Sequence, residues 1–177
     1  MKYAVIKKND IANGPGVRVS LFVSGCNHHC KGCFNKIAWD FDYGTPFTEE
    51  TIKEILDSMS PVHIKGLTLL GGEPLDPANQ GALLLLVKKV KETYPDKTIW
   101  CFSGYDFEKE IMCDMIHKVP ETKSLLDLID VLVDGRFEID KKDITLRFRG
   151  SSNQRIIDMN KTRAANSLVL WDEQETL

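Results

Sequence analysis

Apolar and polar residues alternate in short segments of the chain that predict β-strands. Val17–Ser24 (VRVSLFVS) alternates and is rich in β-branched residues, and Gly66–Leu70 (GLTLL) has the short apolar run typical of a buried strand. Thr98–Phe102 and Asp130–Asp134 predict two further strands, and Ile144–Arg149 is a candidate for one more. Turn residues such as glycine end most of these segments, so the pattern predicts about five or six separate strands.

Apolar residues at helical spacing predict helices between these strands. Thr48 is a suitable N-cap for the first helix, and Phe47 and Ile52 are spaced as a hydrophobic staple around it. The pattern after Asn160 favours no single structure. The predicted helices run from Thr48 to about Met59 and over Ala82–Tyr94, Asp106–His117 and Lys123–Ile129.

The alternation of strands and helices predicts an α/β fold with parallel strands and crossover helices, in a single domain over residues 1–177. Unusual loops follow four of the strands directly: the cysteine-rich loop, Gly71–Pro74, Ser103–Tyr105 and Asp134–Arg136. Loops at the carboxyl ends of parallel strands share one edge of the sheet, where ligands bind. About five or six strands are too few for a closed eight-stranded barrel, so we expect a partial, open barrel with its site at this edge.

Composition and charge narrow the classes of function. The net charge of −3 gives no electrostatic reason to expect binding to nucleic acid or to an anionic membrane. No apolar run approaches the ~20 residues that span a bilayer, and the N-terminal segment lacks the features of a signal peptide. We therefore expect a cytoplasmic protein, in which the five cysteines stay reduced and a cluster of them indicates metal binding or catalysis.

Three cysteines lie within eight residues in the segment SGCNHHCKGCFN. Cys26, Cys30 and Cys33 could bind zinc together with His28 or His29, because zinc sites have four ligands. Four zinc ligands in one short loop would be sterically awkward, whereas an iron–sulfur cluster is larger and its irons can be reached from one loop. Three thiolates would leave one iron open to a small molecule. Spacing alone favours the iron–sulfur interpretation and leaves zinc as the alternative.

The spacing CxxxCxxC resembles the signature of the radical S-adenosylmethionine (SAM) enzymes, and Gly71–Pro74 (GGEP) is similar to their second motif. Most of these enzymes have an aromatic residue where this chain has Gly32; glycine there is usual in the activating proteins of anaerobic ribonucleotide reductase. The resemblance covers roughly residues 1 to 160. It includes the further segments Asn13–Arg18 (NGPGVR), LFVSG before the cysteines, Ser103–Tyr105, Asp130–Gly135 and Phe148–Gln154 (FRGSSNQ).

This resemblance implies a fold, cofactors, partners and a reaction. The fold would be the partial barrel of the radical SAM type, holding a 4Fe–4S cluster on the three cysteines. Reductive cleavage of SAM at the cluster would give a 5′-deoxyadenosyl radical, which takes a hydrogen atom from a glycine of the reductase large subunit. A low-potential electron donor would supply the electron. Nearby alternatives are activases like that of pyruvate formate-lyase, enzymes like 7-carboxy-7-deazaguanine synthase, and a non-catalytic iron–sulfur or zinc module.

The resemblance also implies roles for individual residues in SAM binding. Gly72 would let the backbone approach the methionine end of SAM, since glycine has no Cβ. Phe34 would contact the adenine, with an ordinary core position as the alternative. A turn at the end of a strand is the alternative interpretation of Gly72, and also of Ser103 and Gly104. The residues implied to bind SAM are Gly32, Cys33, Phe34, Gly72, Glu73, Ser103 and Gly104.

The remaining polar and sulfur-bearing residues have more ordinary interpretations. We expect His28 and His29 to face solvent or to support the ligands from outside the cluster. Arg18 lies in an alternating strand and could orient a carboxylate or pair with an acidic surface residue. Cys101 and Cys113 fall on a predicted strand and a predicted helix, where we expect buried, small, apolar side chains.

Overall fold

Four parallel strands form the centre of a seven-stranded sheet in the computed structural model, which describes residues 1–172. The order across the sheet is β3-β1-β2-β4-β5-β6-β7, and β1 and β7 run antiparallel to their neighbours β2 and β6. The sheet is open, with β3 and β7 at its edges. The strands are β1 (Lys2–Asp10), β2 (Val17–Val23), β3 (Thr45–Pro46), β4 (Ile64–Gly71), β5 (Thr98–Phe102), β6 (Val131–Asp134) and β7 (Arg155–Asp158).

Helices connect the parallel strands, as the sequence pattern predicts. The first begins after Thr48, whose hydroxyl accepts a hydrogen bond from the Thr51 amide in a capping box. The second begins after Asp76, earlier than predicted. The apolar pattern did not reveal its first turn, because the buried residues there, Asn79 and Gln80, are polar. The helices are α1 (Glu49–Met59), α2 (Pro77–Thr93), a π-helix (Phe107–Met115) continuing into α3 (Ile116–Lys118), α4 (Glu121–Leu128) and α5 (Met159–Ala165), with short 3₁₀ turns at Lys36–Trp39 and Ile139–Lys141.

The register of the parallel strands brings their carboxyl ends together. Val23 pairs with Gly71 across β2 and β4, and Phe102 pairs with Val133 across β5 and β6. The loops that follow these strands therefore begin at one edge of the sheet. This confirms the mixed α/β architecture and the common edge expected from the sequence; the partial, open barrel of the radical SAM type stays a prediction.

The two faces of the sheet pack against different partners. Side chains on one face, such as Leu21, Leu69 and Leu132, are fully buried in a large cluster with the helices. Trp100 and Val133 point to the other face and pack with residues from the loops and the C-terminal segment. Burial of both faces is typical of a parallel sheet and explains the near-continuous apolar runs of β4 and β6.

The segment Ile144–Arg149 is not a strand, so this prediction is wrong. The Asp143 carboxylate accepts hydrogen bonds from the backbone amide and the hydroxyl of Thr145, which favours a turn over an extended chain. Phe148 has a left-handed backbone with φ of 54°. Residues 143–150 instead form a loop, which we call the 143–150 loop. The next strand along the chain is β7 at Arg155–Asp158, which the sequence pattern did not predict.

Two broader expectations concern the whole chain. Within residues 1–172, no helix is long and apolar enough to cross a membrane. The single-domain prediction extended over residues 1–177, of which 173–177 lie outside the described residues. The sequence pattern favoured no structure after Asn160, and most of α5 lies in this part of the chain. The chain then returns to β7, where the Trp171 amide donates to the Ile156 carbonyl.

Candidate active site

A cavity of about 480 Å³ lies at the carboxyl ends of the parallel strands. Its size is in the range of about 300–1,000 Å³ usual for small-molecule sites. The structure brings all nine predicted site residues to its walls. These are Cys26, Gly32, Cys30, Cys33, Phe34, Gly72, Glu73, Ser103 and Gly104.

Backbone hydrogen bonds hold the cysteine loop in place. The amide of Gly25 donates to the Ala38 carbonyl at 2.9 Å, and the amide of Cys26 donates to the Trp39 carbonyl at 3.1 Å. Gly25 has a φ of 92°, which permits the sharp turn out of β2. The loop therefore leaves the strand and returns against the 3₁₀ turn at Lys36–Trp39, with its cysteines beside the cavity.

The three thiols differ in burial. Cys26 is buried, whereas Cys30 and Cys33 are half-buried. Burial raises the pKa of the Cys26 thiol to about 11, and the nearby charge of Glu73 acts in the same direction. Burial also raises the pKa of Cys30. Burial thus favours the protonated form of both thiols, and a bound cation would favour their thiolates.

The donor set suits a cluster better than a single ion. Within residues 1–172, no three histidine, cysteine or acidic side chains come close enough to hold one metal ion. His28 binds Glu73, and His29 stacks on Trp39 with the ring centroids 4.5 Å apart, so each ring has a partner other than a thiol. In an iron–sulfur cluster each thiolate binds a different iron, and three thiols on one cavity wall match that need.

Glu73 lies at the centre of the site, with 1% of its surface exposed. Its Oε1 accepts hydrogen bonds from the Leu75 amide and the Ser103 hydroxyl, both at 2.8 Å. Its Oε2 accepts from the Gly104 amide at 2.7 Å and lies 2.9 Å from His28 Nε2. These four contacts satisfy the hydrogen-bonding capacity of the buried carboxylate, which therefore holds the surrounding loops together. Direct contact between Glu73 and SAM stays a prediction.

The glycines of the site are required where loops meet. A Cβ on Gly72 would lie 2.5 Å from the Gly25 carbonyl oxygen, and one on Gly104 would lie 2.4 Å from the His28 ring. Gly32 has a φ of 79°, and a Cβ there would lie 2.8 Å from the Ile139 side chain. Close packing of the loops is therefore sufficient to require glycine at these positions, whether or not SAM also approaches them.

The mouth of the cavity carries exposed apolar side chains. Phe34 is 91% exposed and Ile144 is 89% exposed, although both line the cavity. A core position for Phe34 is therefore excluded. The 143–150 loop was missed as part of the site because its apolar residues were assigned to a strand. The Asp143 and Thr145 pair was the signal that could have revealed the turn.

Three other residues depart from expectation. The His28 side chain is buried rather than solvent-facing, which leaves the supporting role. Arg18 is fully buried, and within residues 1–172 its guanidinium donates to the hydroxyls and carbonyls of β4 and β5 rather than to a carboxylate; burial lowers its pKa to about 10. Cys101 is buried as expected, but Cys113 is exposed.

Comparison with known proteins places these features in context. Residues 12–157 match the family model of the "4Fe-4S single cluster domain". The chain is 46% identical over 156 residues to the anaerobic ribonucleoside-triphosphate reductase-activating protein of Pasteurella multocida, covering 87% of this chain and 95% of that protein. The proteins of the same name from Escherichia coli K12 and phage T4 are each 42% identical over 156 residues, covering 87% and 88% of this chain and 96% and 93% of their own lengths.

Proposed function

The chain belongs to the family of anaerobic ribonucleoside-triphosphate reductase-activating proteins and carries its 4Fe–4S domain, and from this we propose that it is a radical SAM activase of such a reductase. Bound together, a reduced 4Fe–4S cluster and SAM supply a 5′-deoxyadenosyl radical able to take a hydrogen atom from a glycine of the reductase large subunit. The observation that carries this proposal is the convergence of all nine predicted site residues on one cavity.

In this proposal the cysteine loop provides the cluster ligands. Cys26, Cys30 and Cys33 would each hold one iron of the cluster, which would leave one iron for the binding of SAM. Gly72 and Gly104 keep the walls close to the loop and free of side chains. The binding of SAM by Gly32, Cys33, Phe34, Gly72, Glu73, Ser103 and Gly104 is supported by their position on the cavity wall.

The apolar walls suit radical chemistry, since a reactive radical must be kept from water and from unintended hydrogen donors. Leu70 and Phe102 line the cavity from the strands, and Phe137, Leu146 and Phe148 line it from the connections beyond β6. These side chains would exclude water around SAM and leave the mouth as the route for a glycine on another protein. A protein substrate needs such an open mouth.

The proposal also covers the partners and the location of the protein. The chain would act in the cytoplasm, receive its electron from a separate low-potential donor, and dock on the reductase large subunit. Neither nucleic acid nor a membrane has a part in this reaction. The net charge of −3 is consistent with this view, because it offers no general attraction to polyanions.

Anaerobic reconstitution with iron and sulfide tests the proposal. We expect one oxygen-sensitive 4Fe–4S cluster for each chain, and conversion of SAM to methionine and 5′-deoxyadenosine after reduction. Alanine in place of any one of Cys26, Cys30 or Cys33 should abolish the cluster, because each thiolate holds one iron. The matched variants Cys101→Ala and Cys113→Ala should keep it, since these side chains do not line the cavity.

The reductase large subunit provides the test of substrate. Addition of this subunit and SAM to the reduced protein should give the doublet of a glycyl radical by electron paramagnetic resonance. Deuterated glycine in the subunit should place deuterium in the released 5′-deoxyadenosine. A radical on pyruvate formate-lyase but not on the reductase would contradict the assignment, and zinc in place of iron in anaerobically isolated protein would contradict the whole proposal.

A further inference from the structure

His28 lies between two of the cysteines, yet its side chain points into the protein. The exposed fractions of the His28 and Glu73 side chains are 6% and 2%, and Nε2 lies 2.9 Å from Oε2. The other contacts of this carboxylate are all donors, so it acts as an acceptor and Nε2 donates the hydrogen bond. The contact joins residues 45 positions apart, from the cysteine loop and from the loop after β4.

The ring of His28 is fixed by two further contacts. It packs on Tyr105 in an edge-to-face arrangement, with centroids 4.4 Å apart and planes at 71°. Gly104 also lies against the ring, since a Cβ there would approach it to 2.4 Å. Tyr105 and Gly104 belong to the loop after β5. One imidazole thus touches the loops that follow β4 and β5 while itself belonging to the loop that follows β2.

The Glu73 carboxylate completes this connection. Ser103 and Gly104 bind it from the loop after β5, and His28 binds it from the cysteine loop. A buried carboxylate that loses a donor pays a desolvation penalty, so its partners are held firmly. The cysteine loop also contacts the loop after β4, where the Glu73 amide donates to the Gly25 carbonyl and the Asn27 side chain donates to Asp76. His28 additionally connects it, through Glu73, to the loop after β5.

We propose that His28 is a positioning residue that holds the cysteine loop at a fixed distance from the loops after β4 and β5. The inference rests on the proposed function, because SAM must span these two parts: the open iron on one side, and Gly72, Ser103 and Gly104 on the other. Cluster assembly needs the three cysteines of one loop only. Loss of the His28 hydrogen bond should therefore weaken SAM binding and leave the iron content unchanged.

Two variants of His28 separate the hydrogen bond from the shape of the ring. His28→Gln keeps an N–H donor at nearly the same distance from the backbone, whereas His28→Phe keeps a ring and removes the donor. A hydrogen bond to a charged group is worth enough to change an equilibrium about tenfold or more. We expect about a tenfold weaker affinity for SAM in His28→Phe and a change of less than about threefold in His28→Gln.

The affinity is measured by equilibrium dialysis of SAM against the reconstituted proteins before reduction, so that SAM is bound but not cleaved, with iron content determined in parallel. Glu73→Gln removes the carboxylate instead. The losses of SAM affinity in Glu73→Gln and in His28→Phe should not be additive in the double variant, because both substitutions disrupt the contact between His28 and Glu73. Additive effects, or equal affinity for SAM in all variants, would overturn the inference. Loss of iron in His28→Phe would show that His28 serves the cluster directly and would also overturn it.

Hydrogen exchange tests the same connection without SAM. The Gly104 amide donates to Oε2, so it should exchange faster in His28→Phe than in the wild-type protein, and at the wild-type rate in His28→Gln. If the wild-type protein does not bind SAM, the proposed function fails, and the exchange of Gly104 still decides whether His28 holds the loops. Equal exchange in all three proteins would mean that it does not.

Discussion

At the scale of single residues, the site depends on how closely its loops can approach. The amide of Glu73 donates to the Gly25 carbonyl at 2.8 Å, and Gly72 fits beneath the same carbonyl only because it lacks a Cβ. The backbone of the loop after β4 thus lies directly on the backbone that leads into Cys26. A side chain at position 72 would meet backbone atoms, which cannot rotate away as the end of a flexible side chain can.

Replacement of Gly72 should therefore affect the cluster as well as SAM. In Gly72→Ala, the Cβ would lie 2.5 Å from the Gly25 oxygen, so the cysteine loop must move. We expect a loss of about 1–3 kcal/mol in the free energy of unfolding of the apoprotein, as for other overpacked positions. Reconstituted iron should fall too. Urea unfolding and iron analysis measure the two effects.

Gly81 provides the matched control within α2. No atom lies within 4 Å of a Cβ built there, so Gly81→Ala should raise the stability by about 0.5–1 kcal/mol through its higher helix propensity and leave the iron content unchanged. Normal iron content and stability in Gly72→Ala would show that the cysteine loop can shift freely, contrary to the close packing described above.

At the scale of secondary-structure elements, an ion pair between a buried carboxylate and a partly exposed arginine joins β6, β7 and the π-helix. Arg155 in β7 donates from Nε and Nη2 to the two oxygens of Asp134 at the end of β6, at 3.0 and 2.5 Å. Asp134 also accepts from the Phe107 amide at the start of the π-helix. These contacts raise the pKa of Arg155, chiefly through the hydrogen bonds that its guanidinium donates to Asp134. The pair thereby fixes the antiparallel edge strand beside the cavity.

Removal of the arginine should cost much more than removal of a surface ion pair. In Arg155→Met, Asp134 would keep a buried charge without its main partner, and we expect a loss of about 3–5 kcal/mol in the free energy of unfolding. The exposed pair of Lys123 and Asp127 within α4 is the control, and Lys123→Met should cost less than about 1 kcal/mol. Chemical denaturation measures both. Similar losses in the two variants would mean that the Asp134 pair is no stronger than a surface pair.

At the scale of the whole molecule, the sequence predicts the parallel centre of the fold well and its edges poorly. β2, β4, β5 and β6 have strong apolar patterns because helices or loops cover both of their faces. β1 is largely half-exposed and rich in lysine, so its pattern gives a weaker signal.

The sequence likewise predicts some parts of the site well and others poorly. The cysteine spacing and the glycine-rich loops predict the residues that meet at the cavity, since the ends of parallel strands must share an edge. Sequence pattern could not reveal that His28 turns inward, because that depends on a carboxylate 45 residues away. It also could not place the 143–150 loop, where local hydrogen bonds of Asp143 override the apolar pattern.

The 143–150 loop carries the last prediction, which concerns the docking of the partner. If a glycine of the reductase enters the cavity, the exposed side chain of Ile144 at the mouth should become buried in the complex. Burial of such a side chain contributes about 1.5–3 kcal/mol, so Ile144→Ser should weaken the partner's binding about tenfold or more. The yield of glycyl radical at limiting partner concentration should fall accordingly, while cleavage of SAM without the partner should not change.

Val62 offers a matched control for Ile144, because it is a similarly exposed aliphatic residue, at 94%, but precedes β4 at the opposite edge of the sheet. Val62→Ser should leave both the radical yield and SAM cleavage unchanged. A lower radical yield in Val62→Ser, with normal yield in Ile144→Ser, would place the docking surface at the other edge. That outcome would be incompatible with entry of the glycine through this mouth, because the cysteines and the cavity lie at the carboxyl ends of the strands.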